Sequence, residues 1–102
     1  MTQVVNLKYS KYDIYIGRPK QGQHWGFGNP FEIGKDGDRD LVIFKYEAWL
    51  VIDVDFGNTD ATPERRNWIL SNLHLLKGKR LGCFCKPKAC HGDVLARLVS
   101  TL

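Results

Sequence analysis

The chain has 102 residues, 43% of them hydrophobic and 25% charged, with a formal net charge of +4. That is the length of one domain, enough to bury a core without disulfides or a structural metal. No apolar run nears the roughly 18 residues of a membrane span, no Lys/Arg run exceeds two residues, and three cysteines are an odd number, so a spanning segment, a polybasic arm and a secreted disulfide framework are all disfavoured. The N-terminal MTQVVNLK lacks the charged-then-apolar pattern of a signal peptide, which leads us to expect a protein of the reducing cytoplasm.

Taken in order, Val4, Val5 and Leu7 suggest a first strand at a sheet edge. Asp13 to Gly17 reads as a second, with Ile14 and Ile16 on one face and Tyr15 on the other. It ends at Gly17-Arg18, where glycine lets backbone approach a ligand closely and Arg18 projects from the strand end. Residues 19–38 form a long loop holding Gly22, Gly26, Gly28, Gly34 and Gly37 together with His24, Trp25, Phe27, Asn29-Pro30-Phe31 and Ile33. Loops of this length in compact domains are often functional.

Asp40 is the expected N-cap of a helix from Leu41 to about Val51, with Leu41, Phe44, Ala48 and Val51 as its buried stripe. Thr62-Pro63 is a strong helix start, an N-cap followed by proline at the first helical position. Ile69, Leu70, Leu73 and Leu76 make that helix's stripe, and Gly78 closes it.

Leu81-Gly82-Cys83-Phe84-Cys85 is short and apolar, a buried strand stopped by Lys86-Pro87-Lys88. Val94, Leu95, Leu98, Val99 and Leu102 recur at helical spacing, so a last helix starts near Gly92-Asp93. The order is β-β-α-α-β-α. The fold class is α/β, one small domain with a short mixed sheet, at least two adjacent parallel strands, and flanking helices. The strands ending at Gly17 and Cys85 should be those parallel neighbours, since a helical crossover separates them. Their carboxyl ends would then face one pocket, where ligands of open α/β sheets bind.

The combination of Tyr15-Ile16-Gly17-Arg18, Gly28-Asn29-Pro30-Phe31 and Gly82-Cys83-Phe84-Cys85…Cys90-His91-Gly92-Asp93 resembles an uncharacterised family of short bacterial and phage proteins, a domain of unknown function. The resemblance covers nearly the whole chain. It implies that these residues belong together and supplies no activity. The insertion Lys20–Trp25 is longer than is typical of that family.

The turn after the third strand carries the chemistry-bearing side chains. Cys83 reads as a packed core residue. Cys85, Cys90 and His91 are the expected catalytic cluster: lysines and a helix N-terminus favour a thiolate, and a histidine beside it suits proton transfer. Gly17, Arg18, Asn29, Lys86 and Asp93 are the expected ligand-binding residues, with helix capping as the competing role of Asp93 and loop support that of Asn29. No cofactor is expected. Zinc is the reading weighed against that, because Cys83, Cys85, Cys90 and His91 offer four donors in nine residues. However, Cys-x-Cys followed by adjacent Cys-His is awkward for one tetrahedral ion. The functional expectation is a cytoplasmic enzyme acting by transfer or hydrolysis on a nucleotide- or nucleoside-like anion. The alternative is a zinc-stabilised module that contacts nucleic acid or a protein.

Overall fold

The computed structural model describes residues 1–19 and 23–102. Gly22 and the first part of the Lys20–Trp25 insertion lie outside them. Along the chain run β1 (Gln3–Asn6), β2 (Ile14–Tyr15), α1 (Arg39–Ile52), α2 (Pro63–Asn72) with a 3-10 turn at Leu73–Leu76, β3 (Arg80–Cys83) and α3 (His91–Val99). This is the expected order.

The sheet is organised around its last strand. β3 lies between β1 and β2 and is parallel to both, with Val4 opposite Leu81 and Ile14 also opposite Leu81. The adjacent parallel pair β2–β3 is therefore as expected. The sheet is parallel at both ladders instead of mixed, because β1 and β2 flank β3 and do not form a hairpin with each other. The connection 7–13 must then carry the chain from the end of β1 back to the start of β2 with no helix in it. Gly82 makes room for this. A Cβ there would sit 2.6 Å from Cγ of Tyr12, so the connection lies flat on that face of β3. At its far end Asp13 accepts from the backbone N–H of Arg80 at 2.8 Å, which fixes the entry of β2.

The helices cover the opposite face. Leu81 and Cys83 point there, into a core shared with Tyr46, Trp49 and Leu50 of α1, Ile69 of α2, and Val94 and Leu95 of α3. α3 packs on β1 and on the 3-10 turn as well as on α1. Its approach is close: a Cβ on Gly92 would lie 2.5 Å from Cδ1 of Ile16.

α1 differs from expectation in register and face. Its N-cap is Asp38, which accepts from the backbone N–H of Leu41 at 2.9 Å. Ala48 is buried as expected, but the rest of the buried stripe is Val42, Tyr46, Trp49 and Leu50, whereas Leu41, Phe44 and Val51 are exposed. Both stripes have helical spacing. The one containing the two large aromatics goes inside, where it removes more apolar area from water. Tyr46 is fully buried and its hydroxyl donates to the Phe27 carbonyl at 2.7 Å, so its polar end is satisfied as well.

α2 begins as the sequence indicates, with Thr62 accepting from the Arg65 backbone N–H and Pro63 at the first helical position. Ile69, Leu73 and Leu76 are buried and Leu70 is exposed. Among the described residues no helix is long and apolar enough to cross a membrane.

Candidate functional site

A cleft of about 350 Å³ opens at the carboxyl ends of β2 and β3. Four segments build it. The end of β2 supplies Gly17 and Arg18. The end of β3 and the turn after it supply Cys83, Cys85 and Ala89, and the start of α3 supplies Cys90 and His91. The first turns of α1 and the loop before it give Arg39 and the apolar walls Phe31, Ile33, Val42 and Ile43. Tyr15 and Phe84 form an edge-to-face pair at the rim, with ring centroids 6.5 Å apart.

The strand–turn–helix geometry follows from local capping. Cys90 is the N-cap of α3 in extended backbone, and its sulfur accepts from the Gly92 N–H at 3.4 Å. Asp93 answers by accepting from the Cys90 N–H at 3.1 Å, which completes a capping box. The other oxygen of Asp93 pairs with Lys86 Nζ at 2.7 Å, and Asn6 of β1 donates to the Lys86 carbonyl at 2.7 Å. The turn is thus held at three points, with Cys90 turned back over the end of β3.

That return brings the sulfurs together. Cys90 Sγ lies 3.1 Å from Cys83 Sγ, and the sulfurs of Cys83, Cys85 and Cys90 all lie within 4.8 Å of one another. Cys83 and Cys90 are each 1% exposed, while Cys85 is half-buried at the cleft. Burial pushes the Cys90 thiol up, and its hydrogen bond with Cys83 adds to that, while the Gly92 N–H acts in the opposite sense. Sequence position pairs Cys90 with Cys85 as an accessible thiol. By burial it belongs with Cys83.

His91 is buried, with Nε2 2.7 Å from the Ile16 carbonyl and Nδ1 3.7 Å from Cys90 Sγ. A carbonyl only accepts, so Nε2 carries the proton and Nδ1 presents its lone pair. Burial pushes the imidazole down to about 4, with the hydrogen bond to Ile16 opposing and the Arg18 charge reinforcing, so the ring is neutral near pH 7.

Arg18 pairs with Glu32 at 2.9 Å, and Arg39 donates to the Ala89 carbonyl at 3.1 Å. A guanidinium has five N–H groups, so each retains donors for a ligand. Asn29 lines the cleft with its amide engaged at both ends, donating to Val42 O at 3.1 Å and accepting from Phe31 N at 2.9 Å.

Of the residues singled out in the sequence, Gly17, Arg18, Asn29, Cys85, Cys90 and His91 meet at this cleft. Lys86 and Asp93 do not line it. They pair with each other behind the turn. Within the glycine-rich loop, His24 and Trp25 stack beside Trp68 while Phe27 is buried, so these rings pack on α2. Arg39 escapes a sequence reading. Only with Asp38 as the cap does it become the first residue of α1, facing the turn after β3.

Residues 3–101 match the family described as "Domain of unknown function (DUF4326)". The chain is also 34% identical to the "Uncharacterized 12.4 kDa protein in nrdA-td intergenic region" of Enterobacteria phage T4, over 100% of this chain and 81% of that protein. No solved structure matches. The chain belongs to the DUF4326 family.

Proposed function

We propose that this member of the DUF4326 family binds a small organic anion with a flat apolar body, a nucleotide or a close chemical relative. The sulfur cluster at the base of the cleft would then act on it by transfer or hydrolysis. One observation carries the reading: Arg18 and Arg39 flank an apolar cleft that ends on the three cysteines, at the carboxyl ends of parallel strands. The position is the one where open α/β sheets take ligands. The volume of about 350 Å³ falls within the range of small-molecule sites. Spare guanidinium N–H groups suit phosphate or carboxylate oxygens, and Phe31, Ile33 and the Tyr15–Phe84 rim suit a ring. The formal charge of +4 favours an anion's approach. Three free thiols fit a reducing cytoplasm.

The test is equilibrium binding of a panel of nucleoside mono- and diphosphates, the parent nucleosides and inorganic phosphate, read by calorimetry. A nucleotide should bind more tightly than its nucleoside. Arg39→Ala and Arg18→Ala should each weaken it by roughly tenfold or more, the scale of a charge-assisted hydrogen bond. If no member of the panel binds, or if both variants bind as the wild type does, the reading fails.

A further inference from the structure

The sulfur cluster asks for an explanation that core packing does not give. Buried cysteine is common as a small apolar filler. Here, however, three cysteines from a strand, a turn and a helix cap point at one another, and one of them is half-open to the cleft. From these contacts we infer that Cys83, Cys85 and Cys90 form a three-sulfur site for a thiophilic d¹⁰ cation, of which zinc is the type, with a fourth coordination position facing the cleft.

The geometry supports this at each step. Zinc–sulfur bonds are about 2.3 Å long, so three sulfurs at tetrahedral angles on one ion lie about 3.8 Å apart. In this structure the closest pair is at 3.1 Å and all three lie within 4.8 Å, a spread that brackets the required separation. The objection from sequence spacing falls away, because the chain between Cys85 and Cys90 turns back instead of extending. Soft thiolate donors select zinc or monovalent copper over magnesium or calcium. Partners that metal-bound thiolates commonly have are already in place: the Gly92 N–H donates to Cys90 Sγ at 3.4 Å, at the positive end of α3. His91 Nδ1 lies 3.7 Å from Cys90 Sγ but is not among the donor atoms that converge, so the ligand set is the three sulfurs.

On binding, each sulfur–metal bond replaces an S–H bond, and three protons leave to solvent. Three thiolates on a dication give the centre one net negative charge, beside the guanidinium groups of Arg18 and Arg39. Three protein ligands with an open fourth position is the pattern of catalytic zinc rather than of closed structural sites. The inference rests on the proposed function only for what the metal would do there, since metal binding needs no organic ligand.

The experiment uses the full chain, reduced and stripped with a chelator. Zinc is titrated against a chromophoric competitor, and the site is reported by cobalt(II) charge-transfer absorption and by the ¹¹³Cd chemical shift, which counts sulfur ligands. The expected result is one metal per chain with a three-sulfur cadmium shift. Cys85→Ser should lose affinity by more than the roughly 10–100-fold that loss of an outer partner costs. Cys83→Ser and Cys90→Ser are buried changes and could fail to fold, so Cys85→Ser, at the half-exposed turn, is the deciding variant. Its metal-free circular dichroism should match the wild type. The inference is overturned if the reduced protein takes up no stoichiometric metal, or if Cys85→Ser binds it equally well. A Cys83–Cys90 disulfide that persists in reductant and blocks uptake would overturn it too. Metal uptake without nucleotide binding would sink the anion reading alone, and nucleotide binding without uptake would sink this one alone.

Discussion

The Nε2 of His91 lies 2.7 Å from the carbonyl oxygen of Ile16, 75 residues earlier in the chain. This bond ties the end of β2 to the first residue of α3, and burial of the ring there disfavours a second proton on Nδ1. A pH dependence follows for the metal-free protein. The folded imidazole titrates at about 4, against about 6.5 in the unfolded chain. Between those values the unfolded state binds a proton that the native state refuses. The contribution is therefore complete above pH 6.5 and is lost as pH falls through 4. Denaturant melts from pH 7.5 to 4.5 should show falling stability of up to roughly 3 kcal/mol. A flat profile across that window would show that His91 accepts a proton in the fold.

Two glycines at the site should respond oppositely to alanine. At Gly92 a Cβ would meet Ile16 Cδ1 at 2.5 Å and both Val4 methyls at 3.0–3.1 Å, inside a packed interface. Gly92→Ala should cost about 1–3 kcal/mol despite alanine's better helix propensity. At Gly17 the obstacle is the ring end of Tyr15, a residue 38% exposed, whose displacement breaks only the exposed bond from its hydroxyl to the Arg18 carbonyl. Gly17→Ala should leave the melting midpoint nearly unchanged while altering the cleft rim. Equal destabilisation by the two would contradict the packing described.

Tyr46→Phe removes one oxygen and no volume of consequence. It leaves the Phe27 carbonyl without the donor it has at 2.7 Å in a buried setting. The expected loss is about 1–3 kcal/mol in an equilibrium melt. A loss below about 0.5 kcal/mol would mean that another donor reaches that carbonyl.

Asp93 and Lys86 form one ion pair, but the two partners should not weigh the same. Asp93 also accepts from the Cys90 N–H in the capping box, whereas Lys86 contributes a half-exposed charge. Asp93→Ala should cost about 1–2 kcal/mol, the scale of a lost cap. Lys86→Ala should cost well under 1 kcal/mol. Thermal melts of the two single variants compare them directly, and a larger effect from Lys86 would reverse the assignment.

How far the sequence could be read varied with how local the signal was. Thr62-Pro63 places α2 correctly because cap and proline act on adjacent residues. The parallel pairing of β2 with β3 follows from the helices between them. α1 is harder. Asp38 and Asp40 are both acceptable caps, and apolar residues ring the helix, so the choice of face falls to shapes presented by distant elements. Misplacing the cap hides Arg39. The sulfur cluster is hidden for a related reason. Spacing along the chain says nothing about a turn held by Asn6 from β1 and by the Lys86–Asp93 pair, and it is that turn which folds Cys90 back over Cys83.

The central place of β3 in the sheet has a consequence for synthesis. Among the described residues β1 and β2 have no ladder with each other, and the strand both pair with is near the opposite end of the chain. Hydrogen bonds from Thr2 to Leu76 and from Asn6 to Lys86 bridge 74 and 80 residues. As the polypeptide leaves the ribosome, its first two strands must therefore wait, unpaired, until Arg80–Cys83 has emerged. α1 and α2 can gather locally in the meantime, but neither ladder can form before β3 is available. Sheet formation is therefore a late event that brings the N-terminal strands onto the C-terminal one.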